Sequence, residues 1–360
     1  MQSLRVLFVI RPDSESRLGG DVVQATHTAA GLRELGHTVD VVSTAQPDAR
    51  GYDAAHVFGV FDPPLAQSQI FACKQSGVPI ALSPIWWDLT ELYARSNAVE
   101  RALRLPARRV ERRLQDVREQ APQQLLSRRD LKQAQKRKDT QRALMEQAAV
   151  LLPNSIIEAH RYVCDLGLQH PNVHVVPNAV DAPPNGPAAA EPRSGVLCVG
   201  RVESRKNQAM LAYALRDVDV RITLAGECYD EYYRKLCERW NPRVRFTGPL
   251  KRDDALALMR RALVHVLPAW LETPGIASLE AGMMGCTVVN GNRASEFEYF
   301  GGDAWYCDPG SAQSIRDATQ SALAAARSGA PHALRARLEA FTWKRAAHAT
   351  AEAYRAILTK

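Results

Sequence analysis

Two glutamates and two cations carry the chemistry that the spacing of this chain suggests. Glu272 and Glu280 stand eight positions apart in ETPGIASLEAGMMGCTVV, residues 272–289, across a Pro274-Gly275 break that opens an apolar run. A carboxylate just ahead of a helix and a second one inside it either serve the helix or face a ligand lying across its N-terminus. Glycine at 275 lets backbone approach closely, so the amides of Gly275, Ile276 and Ala277 would point at such a ligand. An anion there gains roughly 0.3–1 kcal/mol from the helix field. Glu272 is then placed to accept hydrogen bonds from sugar hydroxyls, and Glu280 to reach a ribose diol. The plain alternatives are a helix cap and a solvated helix face.

The cations are Arg201 and Lys206. GVLCVG reads as a buried strand running into RVESRKNQAM, so Arg201 leaves the strand's carboxyl end and Lys206 opens the next helix. Open α/β sheets bind ligands at such strand ends. A guanidinium and an ammonium beside helical N–H groups suit a diphosphate, and two solvated surface charges are the equal alternative. The D-x-D pair Asp217 and Asp219 has metal-ligand spacing, but it precedes the strand RITLAG, at the amino end. It reads as a loop. With cations and a helix N-terminus to neutralise a diphosphate, neither a metal nor a cofactor is expected.

The elements that must position these residues alternate. Short apolar, β-branched runs at 4–10, 39–42, 80–82, 150–152 and 173–176, then 196–199, 222–225, 244–246, 264–267 and 288–289, are separated by helix-length segments. Continuous apolar strands between helices predict parallel sheets covered on both faces. The break is residues 177–195, with five prolines among small polar residues, which reads as a linker between two doubly wound α/β domains sharing a cleft. The expected boundaries are 1–178, a linker at 179–195, 196–342 and a terminal helix at 343–360, with Ala346, Ala349, Ala353 and Ile357 on one face.

Composition narrows the classes. With 46% apolar and 24% charged residues, the chain is an ordinary soluble globular protein. Seven cysteines without a CxxC pair point to reduced thiols rather than a disulfide frame or zinc site, and so to a cytoplasmic protein. The N-terminal MQSLRVLFVIRPD reads as a first strand rather than a signal peptide, and no run approaches the roughly 18 apolar residues of a membrane span.

Taken in order, these stretches resemble the retaining, nucleotide-sugar-dependent glycosyltransferases of family four, with the GT-B fold. GRVESRKNQAML is similar to the family's G-R-x-x-x-x-K-N-x-x-x-L, which puts Arg201 and Lys206 on the donor diphosphate. ETPGIASLEAGMMGCTVV resembles its E-x7-E segment, in which the first Glu contacts the transferred sugar and the second holds the nucleotide ribose. LGGDVVQATHTAAGLRELGHTVDVVS resembles the N-terminal glycine loop, with Gly19 and Gly20 approaching the sugar phosphate. The resemblance also implies a nucleobase meeting backbone near Gly248–Leu250, and a terminal helix returning to the first domain. It covers nearly the whole chain. One departure stands at IALSPIWWDLTELY, where the family often carries a histidine near the reacting sugar. Here Trp87 occupies that place and Asp88 follows, which makes both acceptor-side candidates. Trp86 and Trp87 either stack on a sugar ring or are core aromatics.

The resemblance implies transfer of a sugar from a nucleoside diphosphate sugar to a hydroxyl of a glycan or lipid-linked acceptor, in cell-surface or secreted polysaccharide synthesis. The rivals are a nucleotide-sugar-binding subunit that has lost activity and a GT-B-like epimerase. One segment stands apart. Residues 95–145 carry fifteen Lys/Arg against six Asp/Glu, a net +9, whereas the whole chain is +7. Val110, Leu114 and Val117 lie at helical spacing beneath an arginine face. This reads as an insert of the first domain that meets an anionic membrane surface or acceptor, or as a solvated or partner-binding excursion. A membrane contact would make the protein peripheral on the cytoplasmic face. Nucleic acid is not expected, since no recognition motif accompanies the charge.

Overall fold

A computed structural model describes residues 3–17, 19–181, 192–329 and 333–358. Most of the proline-rich linker expected at 179–195 lies outside the described residues. The chain divides into two units, one of residues 1–88, 132–179 and 341–360, the other of residues 89–131 and 180–340.

The first unit begins with β1 (Arg5–Ile10), α1 (Gly20–Glu34), β2 (Thr38–Ser43), β3 (Ala54–Phe58), α2 (Pro63–Gln75) and β4 (Ile80–Ser83). Two helices, α3 (Thr90–Leu103) and α4 (Ala107–Glu119), then belong to the second unit. The chain returns through α5 (Arg128–Met145) to β5 (Val150–Leu151) and α6 (Ile156–Leu166). The sheet runs β2-β1-β3-β4-β5 with every neighbouring pair parallel. β1, β3 and β4 are buried on both faces, as continuous apolar runs require, whereas the edge strand β2 is half-exposed.

The second unit contains β6 (Val196–Val199), α7 (Gln208–Ala214), β7 (Ile222–Ala225), α8 (Glu231–Trp240), β8 (Val244–Gly248), α9 (Arg252–Arg261) and β9 (Val264–Leu267). It continues with α10 (Ile276–Met283), β10 (Thr287–Gly291), α11 (Glu296–Phe300), β11 (Trp305–Cys307), α12 (Ala312–Ser328) and α13 (Ala333–Leu338). The order is β11-β10-β9-β6-β7-β8, again parallel. From β6 the chain winds one way, to β7 and β8; from β9 it winds the other way, to β10 and β11. The strands that part company, β6 and β9, are hydrogen-bonded neighbours, with Val196 opposite Val264 and Leu197 opposite His265. Loops leaving the carboxyl ends of such a pair diverge and leave a crevice. The last helix, α14 (Trp343–Leu358), belongs to the first unit and packs on α1. Their contact is close at Gly31, where a Cβ would stand 2.8 Å from that of Ala347.

Three expectations change. Strands β3 and β11 were not anticipated, so the stretch IALSPIWWD follows the fourth strand of its sheet rather than the third. Residues 173–176 form no strand beyond a single bridge from Val173 to Leu151. The basic segment is not one insert of the first domain. Its first part, α3 and α4, buries Val99, Leu103, Val110, Leu114 and Val117 in the same apolar cluster as Val196, Ile222 and Val264 of the second sheet. Polar ties reinforce the docking: Trp240 Nε1 donates to Leu103 O at 2.9 Å and Tyr213 to Glu111 at 2.8 Å. The apolar stripe beneath the arginines had found a core to cover.

Candidate active site

Three loops of the second unit converge at the carboxyl ends of β6, β9 and β10. The first follows β6. Gly200 has φ 143°, and a Cβ there would touch the Lys206 side chain at 3.5 Å. Asn207 adopts the left-handed conformation at φ 65°, and its Nδ2 donates to Pro268 O at 3.1 Å and Pro309 O at 2.8 Å. This staples the first loop to the second, and Trp270 N donating to Arg205 O at 3.0 Å adds another tie.

The second loop runs from β9 through Glu272 to α10. Gly275 caps the helix at φ 86°, where L side chains are strained, and a Cβ would approach Glu272 Oε2 to 3.2 Å. The close neighbour of this backbone is the chain's own Glu272 side chain. The first-turn amides of Ile276 and Ala277 have no helical acceptor by geometry.

Lys206 and Glu272 meet: Nζ donates directly to Oε1, and both side chains are nearly buried. Arg205, unremarked in the sequence, stands 3.6 Å from the same oxygen and 3.1 Å from Glu203. Arg201 pairs with Glu203 at 3.6 Å instead and remains a third exposed. Burial pulls the Lys206 ammonium below its ordinary range, while the Glu272 charge holds it up. Lys206 is thus a buried cation with Glu272 as its direct partner, Glu203 acting on it as well and Arg205 beside them.

Glu280 lies on α10 and accepts from Arg252 Nε at 3.0 Å; Arg252 also reaches Asp181 at 3.3 Å. Burial raises the Glu280 carboxyl, against the hydrogen bond from Arg252. Arg252 carried no motif signal. Leu250 follows β8 at 36% exposure, beyond Gly248, whose carbonyl accepts from Gly226 N at 3.0 Å. The structure therefore brings Lys206 and Glu272 into contact, and sets Arg201, Gly275 and Glu280 on the loops and helix around them.

The remaining candidates lie in the first unit. Gly19 and Gly20 open α1 at the carboxyl side of β1, where the first sheet reverses its winding between β1 and β3. A Cβ on Gly19 would stand 2.4 Å from Asp21 Oδ1, and the other oxygen of that carboxylate, Oδ2, accepts from Arg11 Nε at 2.7 Å. Stacking by the tryptophans does not fit. Trp86 is 1% exposed, with Nε1 donating to Gln141 at 3.0 Å, and is a core aromatic. Trp87 is 8% exposed, with the Arg161 guanidinium 4.3 Å above its ring. Asp88 pairs with Lys138 at 3.0 Å. Asp217 and Asp219 pair with arginines, and among the described residues no three His, Cys, Asp or Glu are grouped to hold a metal.

Two parallel sheets with these switch points have the GT-B glycosyltransferase architecture. Sucrose-phosphate synthase from Thermosynechococcus elongatus superposes with a TM-score of 0.76 at 15% identity, covering 99% of both chains. Anabaena HepE, solved in complex with UDP-glucose, gives 0.67 at 16% identity over 98% of this chain and 100% of its own. These likenesses show the fold.

Residues 193–325 match the family model "Glycosyl transferases group 1", so the family signal sits in the unit that holds Lys206 and Glu272. Glycogen synthase of Mycobacterium tuberculosis, in the CDC 1551 / Oshkosh and H37Rv strains, is 32% identical over 200 residues. That match covers 51% of this chain and 48% of the relative, so the chain spans about half the length of the curated relatives it matches. The resemblance of the motifs to nucleotide-sugar glycosyltransferases of the GT-B fold holds.

Proposed function

We propose that this chain is a retaining glycosyltransferase of family four, moving a sugar from a nucleoside diphosphate sugar to a hydroxyl of a glycan or lipid-linked acceptor. The observation that carries the reading is the buried Lys206–Glu272 contact, flanked by Arg205 and the Gly275-capped helix, at the β6/β9 switch point. A donor diphosphate is a stronger counterion for Lys206 than one carboxylate. Its arrival would draw Nζ away and free Glu272 to accept hydrogen bonds from the sugar. Glu280 would hold the ribose, with Arg252 fixing its orientation.

In the proposed reaction the acceptor oxygen attacks the anomeric carbon on the face from which the diphosphate departs. The bond from that carbon to the phosphate oxygen breaks, and the acceptor proton passes to the leaving phosphate. Negative charge grows on that phosphate, so preorganised Arg201, Lys206 and the helix amides stabilise the transition state more than the ground state. No divalent metal is assigned to this step. The UDP-glucose complex of HepE and the family match of the second unit support a nucleotide-sugar donor.

The basic helix α4 of the second unit offers a surface for an anionic partner. Arg108, Arg109, Arg112 and Arg113 lie on the exposed face of α4, opposite its buried stripe, and suit an anionic membrane surface at about 1 kcal/mol per charge near the lipid. The protein is then a peripheral enzyme of the cytoplasmic face, acting in polysaccharide synthesis.

The test is turnover of UDP-, GDP- and ADP-sugars with mixed glycan and lipid-linked acceptors in excess EDTA, with the anomeric product read by NMR. Transfer with retained configuration is expected. An inverted product, or activity that vanishes with chelator and returns with magnesium, would remove the corresponding part of the proposal.

A further inference from the structure

The third loop, residues 292–295 after β10, escaped the sequence motifs. It is pressed against the second loop at Gly291, where a Cβ would stand 2.3 Å from Ala269 O, so only glycine lets β10 leave so close to β9. Beyond it come Ser295, fully buried, and Glu296, 1% exposed. Glu296 Oε2 accepts from Ala294 N at 2.9 Å, whereas Oε1 has no partner. Ser295 Oγ has none, nor has the buried indole Nε1 of Trp270 on the facing loop. Buried polar atoms are seldom left without partners, and these lie on the second loop, which carries Glu272, and where the third loop enters α11. The charges of Glu272 and Lys206 both act on the Glu296 carboxyl.

An oxygen that accepts, a hydroxyl that does either and an indole that donates complement ligand hydroxyls, which also donate and accept. We propose that Glu296 and Ser295 are specificity residues of the donor site, binding hydroxyls of the transferred sugar through Oε1 and Oγ. This rests on the donor reading above and adds to it the groups that read the sugar. Burial pushes the Glu296 carboxyl up to about 8, so at neutral pH it is protonated. It then offers a donor as well as an acceptor and sets no extra negative charge beside the diphosphate.

Calorimetric titration of the full chain with UDP, GDP and ADP, and with UDP-glucose, GDP-mannose and ADP-glucose, tests this. Glu296→Leu should raise the Kd of the nucleotide sugar about tenfold or more while changing that of its bare diphosphate less than about twofold. Glu296→Gln, uncharged with the same shape, should recover most of the loss. Ser295→Ala should show the same selective weakening at about threefold, which serves if the leucine variant does not fold. Equal weakening of diphosphate and nucleotide sugar, or no change in either, would overturn the proposal and leave the donor reading intact. A wild-type chain that binds no diphosphate and no nucleotide sugar would overturn the donor reading, and this inference with it.

Discussion

Glu158 and Glu296 are two buried glutamates, one in each unit, and their surroundings differ in kind. In the first unit Glu158, fully buried, accepts from Trp86 N at 2.8 Å, Asn154 N at 2.8 Å and Tyr162 Oη at 2.7 Å. Both oxygens are engaged, and the carboxylate ties the loops after β4 and β5 to α6. In the second unit Glu296 uses one oxygen locally and leaves the other without a partner. A satisfied buried network holds a fold; a half-satisfied one is costly to keep unless something else completes it. The contrast separates a satisfied scaffold carboxylate from one proposed to serve a site, without reference to any relative.

The largest effect expected is on the scaffold side. Glu158→Ala should destabilise the protein by about 3–5 kcal/mol, because three buried donors lose their acceptor at about 1–3 kcal/mol each. Urea unfolding measures it, and a loss under 1 kcal/mol would remove the contrast. On the site side, Lys206→Ala and Arg201→Ala should each cost about 2–4 kcal/mol of transition-state stabilisation, roughly 30- to 1000-fold in kcat/KM. Normal turnover in either would show that these cations do not meet the diphosphate.

A smaller effect distinguishes the glutamates by pH. With its folded-state carboxyl raised from the ordinary 4.5 to about 8, Glu296 keeps a proton that the unfolded chain has released. Its stabilising contribution is full below the lower value and is lost as pH rises through the upper one. The slope is at most about 1.4 kcal/mol per pH unit between them. Glu272, Lys206 and Tyr306 share that electrostatic neighbourhood and stay in place in Glu296→Gln. This variant should therefore flatten the decline in urea midpoint from about pH 5 to 8. An unchanged slope would mean that the carboxyl is ionised in the folded protein.

Much of the candidate site was legible because its residues sit where strands end and glycines follow. Arg201, Lys206, Glu272 and Gly275 each fall within a few residues of β6 or β9, and apolar periodicity marks those strands. Strand β3 was not legible: His56 interrupts Ala54-Ala55 and Val57-Phe58, and its burial makes sense only with Tyr354 Oη at 2.7 Å and Ser83 Oγ at 2.9 Å as partners. Both partners are distant in sequence. The docking of α4 was hidden for the same reason, since Val110, Leu114 and Val117 announce an apolar stripe but not the core it covers. Glu296 sits in GNRASEFEYF, where nothing in the spacing separates a buried glutamate from the half-buried Glu298 two residues on. Only the approach of Gly291 to Ala269 makes that position an interior one.

The central claim is that Lys206 and its neighbours form a diphosphate site. Thermal unfolding with and without UDP, GDP and ADP, on the wild type and on Lys206→Ala, tests it most directly. One of the three nucleotides should raise the wild-type Tm, by an amount that grows with concentration as linkage requires, and the rise should largely disappear in Lys206→Ala. A wild type indifferent to all three, or a shift of the same size in the variant, would contradict the account.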